Sequence, residues 1–116
     1  MAGLSKRERI SSAKEIAALF RHGKAVRGKL ATLIWQPAPT RRVAVTSQRS
    51  SGGAVARNRI KRRLREAYRR QKENFPDRRS YLLVGRPAVL SCSMDLLQNE
   101  LANMAMKVGR RGEASA

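Results

Sequence analysis

Apolar residues recur along this chain with two different periods, and the changes of period mark its elements. Ser12-Ala13-Lys14-Glu15 has the Ser-x-x-Glu spacing that caps the start of a helix. Ile16, Leu19 and Phe20 then share one helical face beside Ala13, and Gly23 supplies a stop. Residues 30–35 ("LATLIW") and 41–47 ("RRVAVTS") read as strands on either side of the turn "QPAPT", with Val43 and Val45 alternating. A short further strand is expected around Ala25 and Val26.

"SSGG" at 50–53 breaks the strand pattern, and a helical period replaces it. On a helix, Ala56, Ile60, Leu64, Ala67 and Tyr68 fall within an arc of about 120°. Pro76 closes that segment. Residues 80–85 ("SYLLVG") form a short continuous apolar run, read as a buried strand. Ser93 caps a last helix with Met94, Leu97, Leu101, Met104, Ala105 and Val108 on one face. The pattern predicts an α+β fold, a small sheet packed with helices, forming one domain over residues 1–108. The polar stretch 109–116 is expected to be a disordered tail.

Charge changes this picture most in the second helix. Residues 57–70, "RNRIKRRLREAYRR", hold Arg57, Arg59, Lys61, Arg62, Arg63, Arg65, Arg69 and Arg70 against the single acid Glu66. The apolar arc anchors the helix, Lys61 and Arg65 flank it on one side, and Arg62 and Arg69 point outward. A solvated helix face usually mixes signs in i,i+4 pairs. Here like charges repel unless something anionic lies alongside. The whole chain carries 26 Lys and Arg against 8 Asp and Glu, a formal charge of +18, which calls for a polyanionic partner. Arginine suits bidentate phosphate contacts.

Other classes recede. No apolar run approaches the roughly 18 residues of a membrane span, and "MAGLSKRERISS" lacks the apolar core of a secretory leader, so a cytoplasmic protein is expected. Cys92 is the one cysteine, which excludes an internal disulfide and a cysteine-based zinc site. The acids are scattered, with no pair suggesting a two-metal centre, and His22 reads as a surface or capping residue. No catalytic residue and no metal ligand is expected. Five aromatics are too few for a row of base-stacking platforms, and composition leaves DNA and RNA both open.

"GGAVARNRIKRRLREAYR" resembles the signature of the bacterial ribonuclease P protein subunit, in which Arg-Asn-Arg opens a long basic helix. "LSKRERISSAKEIAALFRHG", "RVAVTSQRSSGGAVARNR" and "SYLLVGRPA" resemble the family's first helix, its strand and glycine turn, and its last strand. The resemblance implies an α-β-β-β-α-β-α order with a left-handed βαβ crossover. Such crossovers are right-handed in roughly 98% of cases, so the handedness rests on the resemblance alone.

The family removes the 5′ leader of precursor tRNA with a catalytic RNA that requires Mg²⁺, and the protein is its accessory subunit. The resemblance further implies an RNA-binding set of Arg49, Arg57, Asn58, Arg59, Lys61, Arg62, Arg65 and Arg69. A leader cleft between the first helix and the open sheet face would use Arg9, Ile16, Phe20, Ile34 and Arg86. The implied partners are the catalytic RNA and precursor tRNA, with no membrane, no required protein partner and no cofactor held by the protein itself.

The chain departs from the family where Gln48, Arg49 and Ser50 replace Ser-Lys-Lys, where Ile16 stands for a common Phe, and where the position of a cleft aromatic falls on Leu33 or Ile34, with Trp35 one residue along, so that Ile34 and Trp35 compete to face the cleft. Phe20 reads equally as cleft or core. The alternative from another class is a ribosomal or other structural RNA-binding protein with a basic helix, which needs no leader cleft.

Overall fold

The computed structural model describes residues 8–114. Helix α1 (Ala13–His22) leads into strands β1 (Lys24–Arg27), β2 (Ala31–Pro37) and β3 (Arg42–Ser47). The basic helix α2 (Ala54–Gln71), strand β4 (Arg79–Gly85) and helix α3 (Met94–Ala114) follow. The sheet order is β1-β2-β4-β3: β4 lies antiparallel to β2 and parallel to β3, so α2 crosses between neighbouring parallel strands. The expected order α-β-β-β-α-β-α is the order observed. The short strand at Ala25 and Val26 exists as β1, on the sheet's edge.

Strand pleating separates two faces. Leu33, Trp35, Val43, Tyr81 and Leu83 point to one side, where they meet Ile60, Leu64, Ala67 and Tyr68 of α2 and Leu97, Leu101, Met104, Ala105 and Val108 of α3. On the other side Ile10, Leu19, Ala44 and Leu82 form a smaller cluster with Ile16, Ile34 and Val84 at its margin. Two helices thus cover one face, and α1 alone covers part of the other. β4 sits between β2 and β3 and is buried on both faces through residues 80–83, which is why it reads as an unbroken apolar run.

Local chemistry sets the ends of the elements. Ser12 accepts the Glu15 N–H at 3.3 Å and caps α1, but the Glu15 carboxylate turns to Arg42 and Ser80, tying α1 to the sheet. Gly23 ends α1 because the chain passes close to β2: a Cβ there would lie 2.5 Å from Ile34 Cγ2. Gly52, at φ 114°, makes the turn into α2 that an L side chain rarely adopts. Ser93 accepts the Leu96 N–H and caps α3, which continues through Gly109 to Ala114. The tail expected from residue 109 is therefore helical as far as 114, since an interior Gly weakens a helix by only about 1 kcal/mol. Residues 115 and 116 lie outside the described residues.

Tyr68, Phe75 and Tyr81 pack edge to face, with centroids 4.9 and 5.2 Å apart, and lock the C-terminal part of α2 onto the sheet. Burial pushes the Tyr68 hydroxyl up to about 12. At the other end, α2 lies almost on the backbone of β4: a Cβ on Gly85 would collide with Ile60 Cγ2 and stand 2.9 Å from Leu64 Cδ1. Gly85→Ala should therefore lower unfolding stability by about 1–3 kcal/mol through overpacking. A thermal melt identical to the parent's would contradict this contact.

Candidate nucleic-acid interface

α2 carries its cations on a face that the protein leaves free. Arg57, Asn58, Arg59 and Arg62 are exposed, while Lys61 and Arg65 are half-buried on the flank. Among the described residues, no acid lies within ion-pair distance of Arg49, Arg57, Arg59, Lys61, Arg62 or Arg65. Glu66, the helix's lone acid, is taken by Arg69 at 2.8 Å and Arg70 at 3.4 Å. The Arg69 hydrogen bond, working against a desolvation cost, holds the Glu66 carboxyl below the usual carboxylate range. Arg69, expected to face a partner with the others, is thus already engaged within the helix. Arg63 turns inward to the Cys92 carbonyl and acts as an internal tie.

The start of α2 adds to this potential. Gly53 offers no side-chain cap and the first turn contains no acid, so the positive end of the helix dipole is unopposed. Arg49, in the 3₁₀ turn Arg49–Ser51, stands exposed just before it.

The second face is a shallow cleft. α1 covers the row Ile34–Leu82–Ala44, which the strand register aligns across the sheet. The next row, Thr32–Val84–Thr46, is only half-buried. Ile16 borders the cleft, and Phe20, one turn further along α1, leaves 56% of its surface in solvent. Ile34 lies on this side, at the margin of the α1 cluster. Trp35 lies on the opposite face, 2% exposed, with Lys24 and Arg79 each 5.3 Å from its ring centre. One step along a strand reverses the side chain, so only Ile34 can face α1.

Arg86 follows β4 and donates Nη2 to Thr32 Oγ1 and Nε to the Gly28 carbonyl, which sets it at the end of the open row. Arg9 sits at the other side of the sheet, where it bridges to Val43 on the β3 edge. There it lines a cavity of about 90 Å³ together with Ile10, Ile16, Val43, Ala44, Val45 and Arg65. The structure therefore joins the two expected sets at one point, Arg9 from the cleft and Arg65 from the basic helix. Thr32, Val84 and Thr46 were not singled out by the sequence pattern. Their period-2 relation to Ile34, Leu82 and Ala44 is the signal that finds them once register is known.

The chemistry on offer is recognition of an extended anion: unpaired guanidinium groups on one helix, and a half-apolar strip flanked by Arg9 and Arg86 on another face. Among the described residues, no group of three or more His, Cys, Asp or Glu gathers where it could hold a metal ion. No helix among them is long and apolar enough to cross a membrane.

Fold and charge together define a class of molecule, a small basic α+β protein with one arginine-rich helix and a partly open sheet face. Within that class the chain belongs to the ribonuclease P protein family, whose model, described as Ribonuclease P, matches residues 4–109. It is 38% identical over 90 residues to the ribonuclease P protein component of Thermus oshimai, covering 78% of this chain and 58% of that protein. A relative from Desulforapulum autotrophicum with the same name is 30% identical over 107 residues, covering 90% of this chain and 92% of its own length. The chain spans little more than half the length of the Thermus oshimai and Thermus brockianus relatives it matches. The RNase P protein from Thermotoga maritima superposes with a TM-score of 0.77 at 21% identity, over 87% of this chain and 97% of that one. The Staphylococcus aureus RNase P protein gives 0.70 at 21%, over 90% and 91%. At these identities the two structures establish a shared fold.

The exposures in α1 give a direct test. Leu19→Ala should cost about 2–5 kcal/mol of stability, whereas Phe20→Ala should stay within about 0.5 kcal/mol. Equal losses in chemical denaturation would contradict the placement of Phe20 outside the core.

Proposed function

We propose that this chain is the protein subunit of a ribonuclease P, binding the catalytic RNA through α2 and the single-stranded 5′ leader of precursor tRNA through the open sheet face. The observation that carries the reading is the coexistence of two separate anion-ready surfaces. A structural RNA-binding protein requires only the first. Arg57, Asn58, Arg59, Lys61, Arg62 and Arg65, with Arg49, contact phosphates of the catalytic RNA and fix its register without reading bases. Charge neutralisation releases counterions and lowers the Mg²⁺ that the RNA needs to stay compact. Cleavage, and the Mg²⁺ that supports it, belong to the RNA in the cytoplasm.

In the cleft, Arg9 and Arg86 hold leader phosphates, and a base stacks on Phe20 beside Ile16 and Ile34. Such stacking contributes about 1–3 kcal/mol per base.

Precursor-tRNA cleavage at low Mg²⁺, with a bacterial ribonuclease P RNA present or absent, tests the whole reading. Correct 5′ maturation is expected only when RNA and protein are combined. A protein that binds the RNA tightly yet adds no activity would favour the ribosomal-type alternative, and cleavage by protein alone would overturn the accessory role. Arg59→Ala and Arg62→Ala should each weaken affinity for the catalytic RNA and flatten its log–log salt dependence by up to about one unit. Unchanged slopes in both variants would remove α2 from the contact surface. Phe20→Ala should weaken precursor binding by about fivefold or more, leaving affinity for the catalytic RNA intact.

A further inference from the structure

The turn between β1 and β2 is gripped from two sides. From α3, the Glu100 carboxylate accepts three successive backbone N–H groups, Lys29 on Oε1 at 2.8 Å and Leu30 and Ala31 on Oε2 at 2.8 and 2.9 Å. Gly28 makes room for it: a Cβ there would stand 2.7 Å from Glu100 Cδ and 2.8 Å from Oε2. The turn closes on itself through the Gly28 N–H and the Ala31 carbonyl.

From the end of β4, Arg86 donates its backbone N–H to the Leu30 carbonyl, Nε to the Gly28 carbonyl at 3.1 Å and Nη2 to Thr32 Oγ1 at 3.1 Å. Every acceptor that orients this guanidinium belongs to the segment 28–32, most of which Glu100 holds. Hydrogen bonds to an ionised carboxylate are roughly twice as strong as neutral ones, so the turn is stiff where Arg86 leans on it. Arg86 Nη1 remains without a partner among the described residues, beside the open row Thr32–Val84–Thr46.

We propose that Glu100, on the far side of the sheet's edge, is a positioning residue for RNA binding. By locking the turn it fixes the Arg86 guanidinium at the end of the cleft, where Nη1 meets a phosphate of the single-stranded leader. The inference rests on the proposed leader cleft and extends it to a residue that touches no RNA. It also separates two effects that usually run together. Glu100→Gln removes one negative charge, so bulk electrostatics alone would tighten binding to every RNA. Loss of positioning weakens binding only where a leader is present.

The test is a set of dissociation constants, at one salt concentration, for the complex of protein and catalytic RNA with precursor tRNA and with leaderless tRNA. Glu100→Gln and Arg86→Ala should each weaken precursor binding about fivefold, leaving leaderless tRNA unchanged within about twofold. The double variant should be no worse than the weaker-binding single one. Gly28→Ala, which displaces the carboxylate without changing charge, should behave as Glu100→Gln does, and it decides the matter if that variant fails to fold. If Arg86→Ala weakens the precursor while Glu100→Gln and Gly28→Ala do not, Glu100 is only a clamp of the fold and the proposal fails alone. Equal losses for precursor and leaderless tRNA overturn it in the same way. If Arg86→Ala has no effect either, the leader reading of this face falls first and the proposal with it.

Discussion

The seam between α2 and β4, where Ile60 and Leu64 lie against the bare backbone of Gly85, is the contact on which the rest of the protein depends. The basic side of α2 is self-repelling: Arg57–Lys61 and Lys61–Arg65 at i,i+4, and Arg59–Arg62 and Arg62–Arg65 at i,i+3, are like-charge pairs. Together they oppose the helix by about 1–2 kcal/mol. Burying Ile60 and Leu64 contributes about 1.5–3 kcal/mol each. The seam wins, and the helix forms before any partner arrives, with its exposed cations carried on a fixed backbone. Preorganisation of this kind spares binding the cost of ordering the backbone of a loose segment.

The sheet converts one sequence into two surfaces of different character. Because β4 enters between β2 and β3, its alternate residues feed both faces, and the α2–α3 side takes the larger core. The α1 side closes over one row of residues and stops. What remains is a strip of intermediate polarity, with Arg9 on one side and Arg86 at the end. The segment around Arg9 matters here too. By pairing with Val43 it covers part of the β3 edge and brings Arg9 within reach of the same small cavity as Arg65. The basic helix and the cleft therefore come side by side around that edge.

Much of this was legible in the chain, and the rest was hidden for identifiable reasons. The anchor of α2 followed from spacing alone, since an arc of apolar residues in a basic segment has one way to pack. The caps at Ser12 and Ser93 followed from local chemistry. The choice between Ile34 and Trp35 did not, because a strand's register is set by its neighbours, and β2 takes its register from β1 and from a β4 that lies far along the chain, beyond α2. Phe20 is spaced like a core residue and lies outside the core because α1 buries Leu19 over a single row of the sheet and nothing among the described residues packs over the residue beside it. Glu100 and Arg86 are distant in sequence and share a turn only through the fold, so no local motif announces them. Arg63 and Arg69 look like their neighbours in the sequence. They differ because one faces the Cys92 carbonyl and the other has Glu66 a turn away.

The claim most exposed to measurement is that the seam holds uncompensated charge. The melting temperature of the free protein across a sodium chloride series, beside that of an Arg59→Gln/Arg62→Gln variant, addresses it directly. Screening shortens the reach of exposed charges to about 8 Å near physiological ionic strength and about 3 Å at 1 M. The melting temperature of the parent should therefore climb with salt, and the climb should shrink in the variant that lacks two of the repelling cations. Identical salt responses in the two proteins, or none in either, would mean that the basic face of α2 is already neutralised within the fold, and that the seam has no repulsion to overcome.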